Sequence, residues 1–171
     1  MLSTTDFDRT APSPLAASRQ QLTCYLDSIW QEYFADIPRL NAVDIAYCQP
    51  WKRRLGLIRL SLDGTKSFIG INALLQLQEV PDCVLYITIA HELTHYAHGF
   101  GSPLPRIFEH PHANNIVQRE LVRRGLGELA SRCNDWIDKQ WFSFYDMQRE
   151  AGWAGIANST SRVGMQRSSV R

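Results

Sequence analysis

The chain has 171 residues, 44% of them hydrophobic and 20% charged, which is enough apolar material for one buried core and a length ordinary for a single domain. Eighteen basic and seventeen acidic side chains leave a formal net charge of +1, so bulk electrostatics give no reason to expect nucleic acid or an anionic membrane as partner. Any such partner must use a local patch, and no stretch reaches transmembrane length.

The first fourteen residues hold Asp6, Asp8, Pro12 and Pro14 and no continuous apolar run, so they resemble neither a signal peptide nor an anchor and are expected to be disordered. From there Leu15, Leu22, Leu26, Ile29 and Tyr33 recur at helical spacing, predicting an amphipathic helix that ends near Pro38. Val43, Ile45 and Tyr47 alternate within 42–49, and Leu60 and Leu62 continue the same period through 55–62, so both segments read as strands. Asp63-Gly64 is a hairpin signal, because glycine tolerates the positive φ of a tight reversal, and Ser67 to Asn72 supplies the third strand.

Pro81 and Asp82 mark a helix start, with proline acceptable in the first turn and Asp at the positive end of the dipole. Val84 to Ala90 then form an apolar run, and Gly99, Gly101, Pro103 and Pro105 end the helix and predict a loop over 99–111. Ile116, Val117, Leu121, Leu126 and Leu129 give a further helical stripe, with Asn114 or Asn115 as cap. A last helix over 135–150 carries Trp136, Ile137, Trp141, Phe142, Phe144, Tyr145 and Met147 toward the core, and 151–171 reads as a flexible tail. Cys24, Cys48, Cys83 and Cys133 are far apart with no CxxC pair, predicting four buried, reduced thiols and, with no export signal, a cytoplasmic location.

The apolar run of the central helix leads into His91-Glu92-Leu93-Thr94-His95, an HExxH box. Residues four apart share a helix face, so the imidazoles of His91 and His95 can converge on one zinc ion, and Glu92, one position round, is placed to act as general base on a water. A catalytic zinc takes three protein ligands and keeps a position open, so a third must come from elsewhere. His98 shares the face, but along the axis it lies roughly 10 Å from His91, which suits a helix-end histidine better than a ligand. Glu120 would complete a two-histidine, one-glutamate site, and His110 or His112 a three-histidine site. Arg119, Arg123, Arg124 and Arg132 could form a basic stripe for nucleic acid, although Glu120 and Glu128 among them favour a solvated face.

Across about residues 20 to 130 the sequence resembles the SprT-like zinc metallopeptidases, the family that includes the Spartan type. The resemblance is carried by Leu57 to Asp63, the strand Ile69-Gly70-Ile71-Asn72, Pro81, the HELxH box at His91 to His95, and His112-Ala113-Asn114-Asn115-Ile116 followed by Gly125 and Gly127. Ala113 and Ile116 stand where the family has glycine and an aromatic residue, and no paired cysteines follow that would form the family's C-terminal zinc ribbon. The resemblance implies an α+β, zincin-like fold: an N-terminal helix, a small three-stranded sheet of antiparallel type with a hairpin, the central HExxH helix and C-terminal helices, in one domain over 15–150. It also implies Zn2+ on His91, His95 and His112, Glu92 as the catalytic base, and hydrolysis of a protein or peptide substrate paired along an edge strand at Ser67 to Asn72. Two alternatives remain: a hydrolase using Glu120 as third ligand, and a zinc-stabilised binding or regulatory module that cleaves nothing.

Overall fold

The computed structural model describes residues 14–156. Helix α1, Pro14–Tyr33, buries Leu22, Leu26, Ile29 and Trp30 along one face. It unwinds before Pro38, with the indole of Trp30 donating to the carbonyl of Ile37 at 3.0 Å. Three strands follow, β1 (Ala42–Tyr47), β2 (Gly56–Leu60) and β3 (Lys66–Ile71). The hairpin between β2 and β3 forms as its turn residues dictate. Gly64 takes φ +72°, and the Asp63 carboxylate accepts from the Ser61 hydroxyl and from the backbone and hydroxyl of Thr65, bonds that hold its pKa down to about 2.

The sheet corrects the expectation of an antiparallel type: it is mixed, in the order β1-β3-β2, with β1 parallel and β2 antiparallel to β3. The segment between β1 and β2 closes no hairpin. It crosses to the far side of β3, the strand whose Ser67, Ile69 and Ile71 are completely buried and therefore need a neighbour on each side. The expected edge at Ser67 to Asn72 is thus the sheet's centre, and β2 is the edge nearer the HExxH helix. Asn72 N donates to Leu55 O and Ser61 N to Lys66 O, both at 2.8 Å. The alternation of an antiparallel ladder then turns the backbone N–H and C=O groups of Leu57 and Arg59 toward β3 and leaves those of Gly56, Ile58 and Leu60 pointing outward.

Helix α2, Asp82–Ala97, carries the HExxH box and is buried nearly all round, from Val84 to Tyr96, as a helix apolar on every side must be. The hydroxyls of Thr88 and Thr94 are satisfied within it, donating to the carbonyls of Val84 at 2.7 Å and Ala90 at 3.0 Å. Among the described residues no helix is long and apolar enough to cross a membrane.

Downstream, the single stripe expected from Ile116 to Leu129 is two helices, α3 (Ile116–Arg123) and α4 (Gly127–Trp136). Gly125, at φ +84°, reverses the chain, and Leu126 N returns to Leu121 O at 2.8 Å, a glycine C-terminal cap in the middle of a continuous apolar pattern. Asn115 does stand at the α3 start, but in a left-handed conformation and without a side-chain cap bond. The last helix expected from 135 instead continues α4 through a π-turn, Ile137–Trp141, into α5, Phe142–Glu150. The extra residue of that turn shifts the helical phase. Trp141 and Phe144 are buried, whereas Phe142 and Met147 face solvent at 51% and 52% exposure.

The chain stays packed past residue 151, with Trp153 against Tyr145 at 5.3 Å and Ile156 buried, so the expected tail cannot begin there. The remainder of that tail and the N-terminal segment before Pro14 lie outside the described residues. The four cysteines are all free, but only Cys133 is buried; Cys24 is exposed and Cys48 and Cys83 are half-buried.

Candidate metal centre

His91 and His95 project from α2 one turn apart, with ring centroids 4.7 Å apart and their Nε2 atoms 3.0 Å from each other. His112 arrives from the far end of a long loop. Gly99 at φ +81° and Gly101 at φ +68° turn the chain away from α2, Phe100 N donates to His95 O, and Ile107 N donates to His98 O. A side chain at Gly99 would collide with the carbonyl of Pro105, so the loop's return across α2 requires glycine there. Asn114 and Asn115, at φ 52° and 55°, then set the course into α3 just after His112. The His112 ring ends 5.5 Å from that of His91 and 4.7 Å from that of His95.

One nitrogen from each of His91, His95 and His112 lies within 4.8 Å of the others, a group able to hold a metal ion. Tetrahedral bonds of about 2.0–2.1 Å to zinc would separate two nitrogens by roughly 3.3 Å, close to the 3.0 Å between His91 and His95. Electrostatics prepare the same atoms. Burial, and then repulsion from His112, brings the pKa of His91 down to about 4; burial and the neighbouring imidazoles bring His95 down to about 3. Both rings are therefore neutral near pH 7, with lone pairs free for a cation. One atom departs from the usual arrangement: His95 Nδ1 is buried without a hydrogen-bond partner among the described residues, where a ligating histidine ordinarily anchors its second nitrogen.

Glu92 is 4% exposed on the floor of the same cleft. Burial raises its pKa to about 8 against the opposing pull of Arg54, so without a cation beside it the carboxyl keeps its proton at neutral pH. A divalent ion on the adjacent imidazoles would reverse that preference. The carboxyl packs directly against residue 56, which has no side chain. A Cβ on Gly56 would lie 2.7 Å from Glu92 Oε1 and 2.8 Å from Thr88 Cγ2.

The other candidates for third ligand are engaged or remote. Glu120 accepts from Arg123 Nε at 2.9 Å and Arg124 Nε at 2.8 Å. His98 caps the end of α2 and stacks edge-on against Phe108, and His110 lies exposed beside Glu109. None of the three joins the imidazole group. Two of the four arginines that could have formed a basic stripe are engaged by acids, in line with the favoured solvated face: the Arg124 side chain is buried, paired with Asp36 and Glu120 and lying over the Phe34 ring, and Arg123 is held by Glu120.

Around the imidazoles opens a cleft of about 600 Å³, bounded on one side by the outward edge of β2 and on another by Phe100, whose ring meets His95 edge-on at 6.3 Å. Sequence reasoning does not single out Gly56, Arg54 or Phe100. Gly56 falls inside the strand expected over 55–62, where nothing marks it as facing a carboxyl, and the one signal for Arg54 is its place just before that strand. No family model, curated protein or solved structure matches this chain.

Proposed function

We propose that this chain is a zinc-dependent metallopeptidase that hydrolyses peptide bonds. The reading is carried by one observation: three imidazole nitrogens within 4.8 Å of one another share a cleft with a buried carboxyl and the outward edge of a strand. The resemblance of the sequence to SprT-like peptidases supports the same reading.

His91, His95 and His112 would hold the zinc, which would supply Lewis acidity to the scissile carbonyl and to a water. The chain's own residues do the rest. The outward N–H and C=O groups of Gly56 and Ile58 pair with an extended peptide and lay its backbone across the imidazoles, a mode that reads conformation more than side-chain identity. Glu92 takes a proton from the attacking water on its carboxylate as the water oxygen bonds to the carbonyl carbon. It then delivers that proton to the amide nitrogen as the C–N bond breaks. The hydrophobic walls, among them Ile87 and Phe100, limit competing water.

Glu92→Gln tests the reading. It is expected to keep one metal per chain and to lose turnover by about 10²- to 10⁴-fold, the usual contribution of a positioned acid–base group. In the same preparation His112→Ala should lose the metal and Glu120→Ala retain it, measured by elemental analysis. Turnover undiminished in Glu92→Gln would overturn the mechanism, and metal binding without turnover in the wild type would leave a non-catalytic binding module.

A further inference from the structure

The segment that leads into β2 is held unusually firmly for a connector. Asn72, completely buried, donates both bonds of its amide to it, to Trp51 O and to Arg54 O, each at 2.7 Å. Trp141 Nε1 donates to Lys52 O at 2.8 Å, and Lys52 Nζ is paired with Asp146 at 2.9 Å. Two cations of this segment are left out of that anchoring. Arg53 and Arg54 are exposed, both line the metal cleft, and no ion pair among the described residues engages either. Arg54 lies only loosely over the Trp51 ring, at 5.9 Å. Arg59 lines the same cleft and is likewise unpaired with any acid among the described residues.

Against these three guanidiniums the cleft lining offers one carboxyl, Glu92, which is buried on the floor. The acids on nearby segments are not part of the lining: Glu109 sits beside His110, Asp135 is paired with Lys139, and Asp138, exposed beside the lining residue Ile137, is not itself a lining residue. An anchored backbone that presents unpaired arginines to a cleft is suited to receive anions, since only the side chains remain to be ordered when the ligand arrives and each guanidinium can take a carboxylate by two parallel bonds.

We propose that the cleft selects acidic peptides, with Asp or Glu side chains flanking the scissile bond seated on Arg53 and Arg54. This rests on the peptidase reading above for the position of the scissile bond. Peptide is favoured over nucleic acid because Arg123 and Arg124, which would extend the charge along α3, are occupied by Glu120 and Asp36, and the chain's net charge is only +1, too little to support a long phosphate track.

The test is fluorescence anisotropy on zinc-loaded Glu92→Gln protein, using a labelled peptide with Asp and Glu on both sides of its centre and an isosteric peptide with Asn and Gln in their place. One charge-assisted contact corresponds to about tenfold in affinity, so the acidic peptide should bind at least about tenfold tighter, with an advantage that shrinks as salt is raised. Arg53→Ala with Arg54→Ala should abolish the difference, whereas Arg132→Ala, which removes the same kind of charge outside the cleft, should preserve it. Arg53→Glu with Arg54→Glu should transfer the preference to a Lys-bearing peptide, a reversal that a folding defect could not produce. Equal affinity for the two peptides would overturn the proposal, as would tighter binding of a single-stranded oligonucleotide that displaces the acidic peptide. Wild-type protein that keeps the binding preference but cleaves neither peptide removes the peptidase reading and leaves the acidic-peptide site; cleavage of both at equal rates does the opposite.

Discussion

Two regions meet at the imidazoles, and they are built in contrasting ways. The α2 wall brings His91, Glu92 and His95 on a helix that is buried on nearly every side, with the polar groups of Thr88 and Thr94 satisfied internally. The arm from Gly99 to Asn115 brings His112 on a loop that leaves Ile107 60% and Phe108 38% exposed and takes four residues through positive φ. The wall is set by the core whether or not an ion is bound. The arm is anchored where it leaves α2, with Phe100 and Ser102 buried and the Ser67 hydroxyl donating to Gly101 O at 2.7 Å, but it runs exposed from Pro105 to His110 before it delivers His112. A metal centre assembled from both therefore couples a prebuilt half to a half whose position depends on local conformation.

The largest test of that contrast is on stability without metal. Leu93→Ala, on the wall, should cost about 2–5 kcal/mol in chemical denaturation with a chelator present, while Ile107→Ala on the arm should stay within about 0.5 kcal/mol. Equal costs would erase the distinction. Next comes the boundary between wall and cleft: Gly56→Ala forces Glu92 or Thr88 to move, at about 1–3 kcal/mol, and should lower turnover while metal content stays at the wild-type level. Unchanged turnover there would mean the Glu92 carboxyl shifts freely.

On the arm itself, Asn115→Val places a branched side chain at φ 55° and should cost about 1–2 kcal/mol, whereas Asn115→Gly should be tolerated with metal affinity intact. The smallest effect concerns the anchor beyond the arm. The Arg124 guanidinium hydrogen-bonded to Asp36 holds that carboxyl below its usual value. A depressed carboxylate pKa stabilises the fold above the unfolded value of about 3.9 and loses that contribution as pH falls through the lower folded value. Asp36→Asn should therefore remove part of the acid-induced loss of stability without altering stability differences between neutral and mildly alkaline pH, as read from thermal unfolding across pH.

What could be read from the sequence follows the same division. The helices α1 and α2, the three strands and the Asp63-Gly64 turn each depend on local periodicity or on the φ a single residue tolerates, and the pairing of His91 with His95 depends only on helix geometry. The sheet's parallel β1–β3 pairing does not, because strand order follows from which strand the core covers on both flanks. The break at Gly125 is hidden by an apolar stripe that continues through it, and the π-turn at Ile137–Trp141 is invisible because one inserted residue changes phase without changing composition. Resemblance nominates His112, but spacing alone leaves it level with His110 and Glu120, since its approach to His91 depends on the turns at Gly99 and Gly101 and on the two left-handed asparagines. The unpaired state of Arg53 and Arg54 likewise emerges only once the partners of the other arginines are known.

Gly56 has a bearing on how related chains could be recognised. A five-letter box on a helix arises by chance often enough to mislead, but a descendant that keeps a carboxyl packed where Glu92 sits can add a side chain at the position facing it, on a strand distant in sequence, only by moving that carboxyl or Thr88. Substitution at one position is therefore tied to the other. Chains in which a glycine opens the strand before the hairpin and an HExxH box follows would be expected to keep this packing of the carboxyl, and those with the box alone to place it differently.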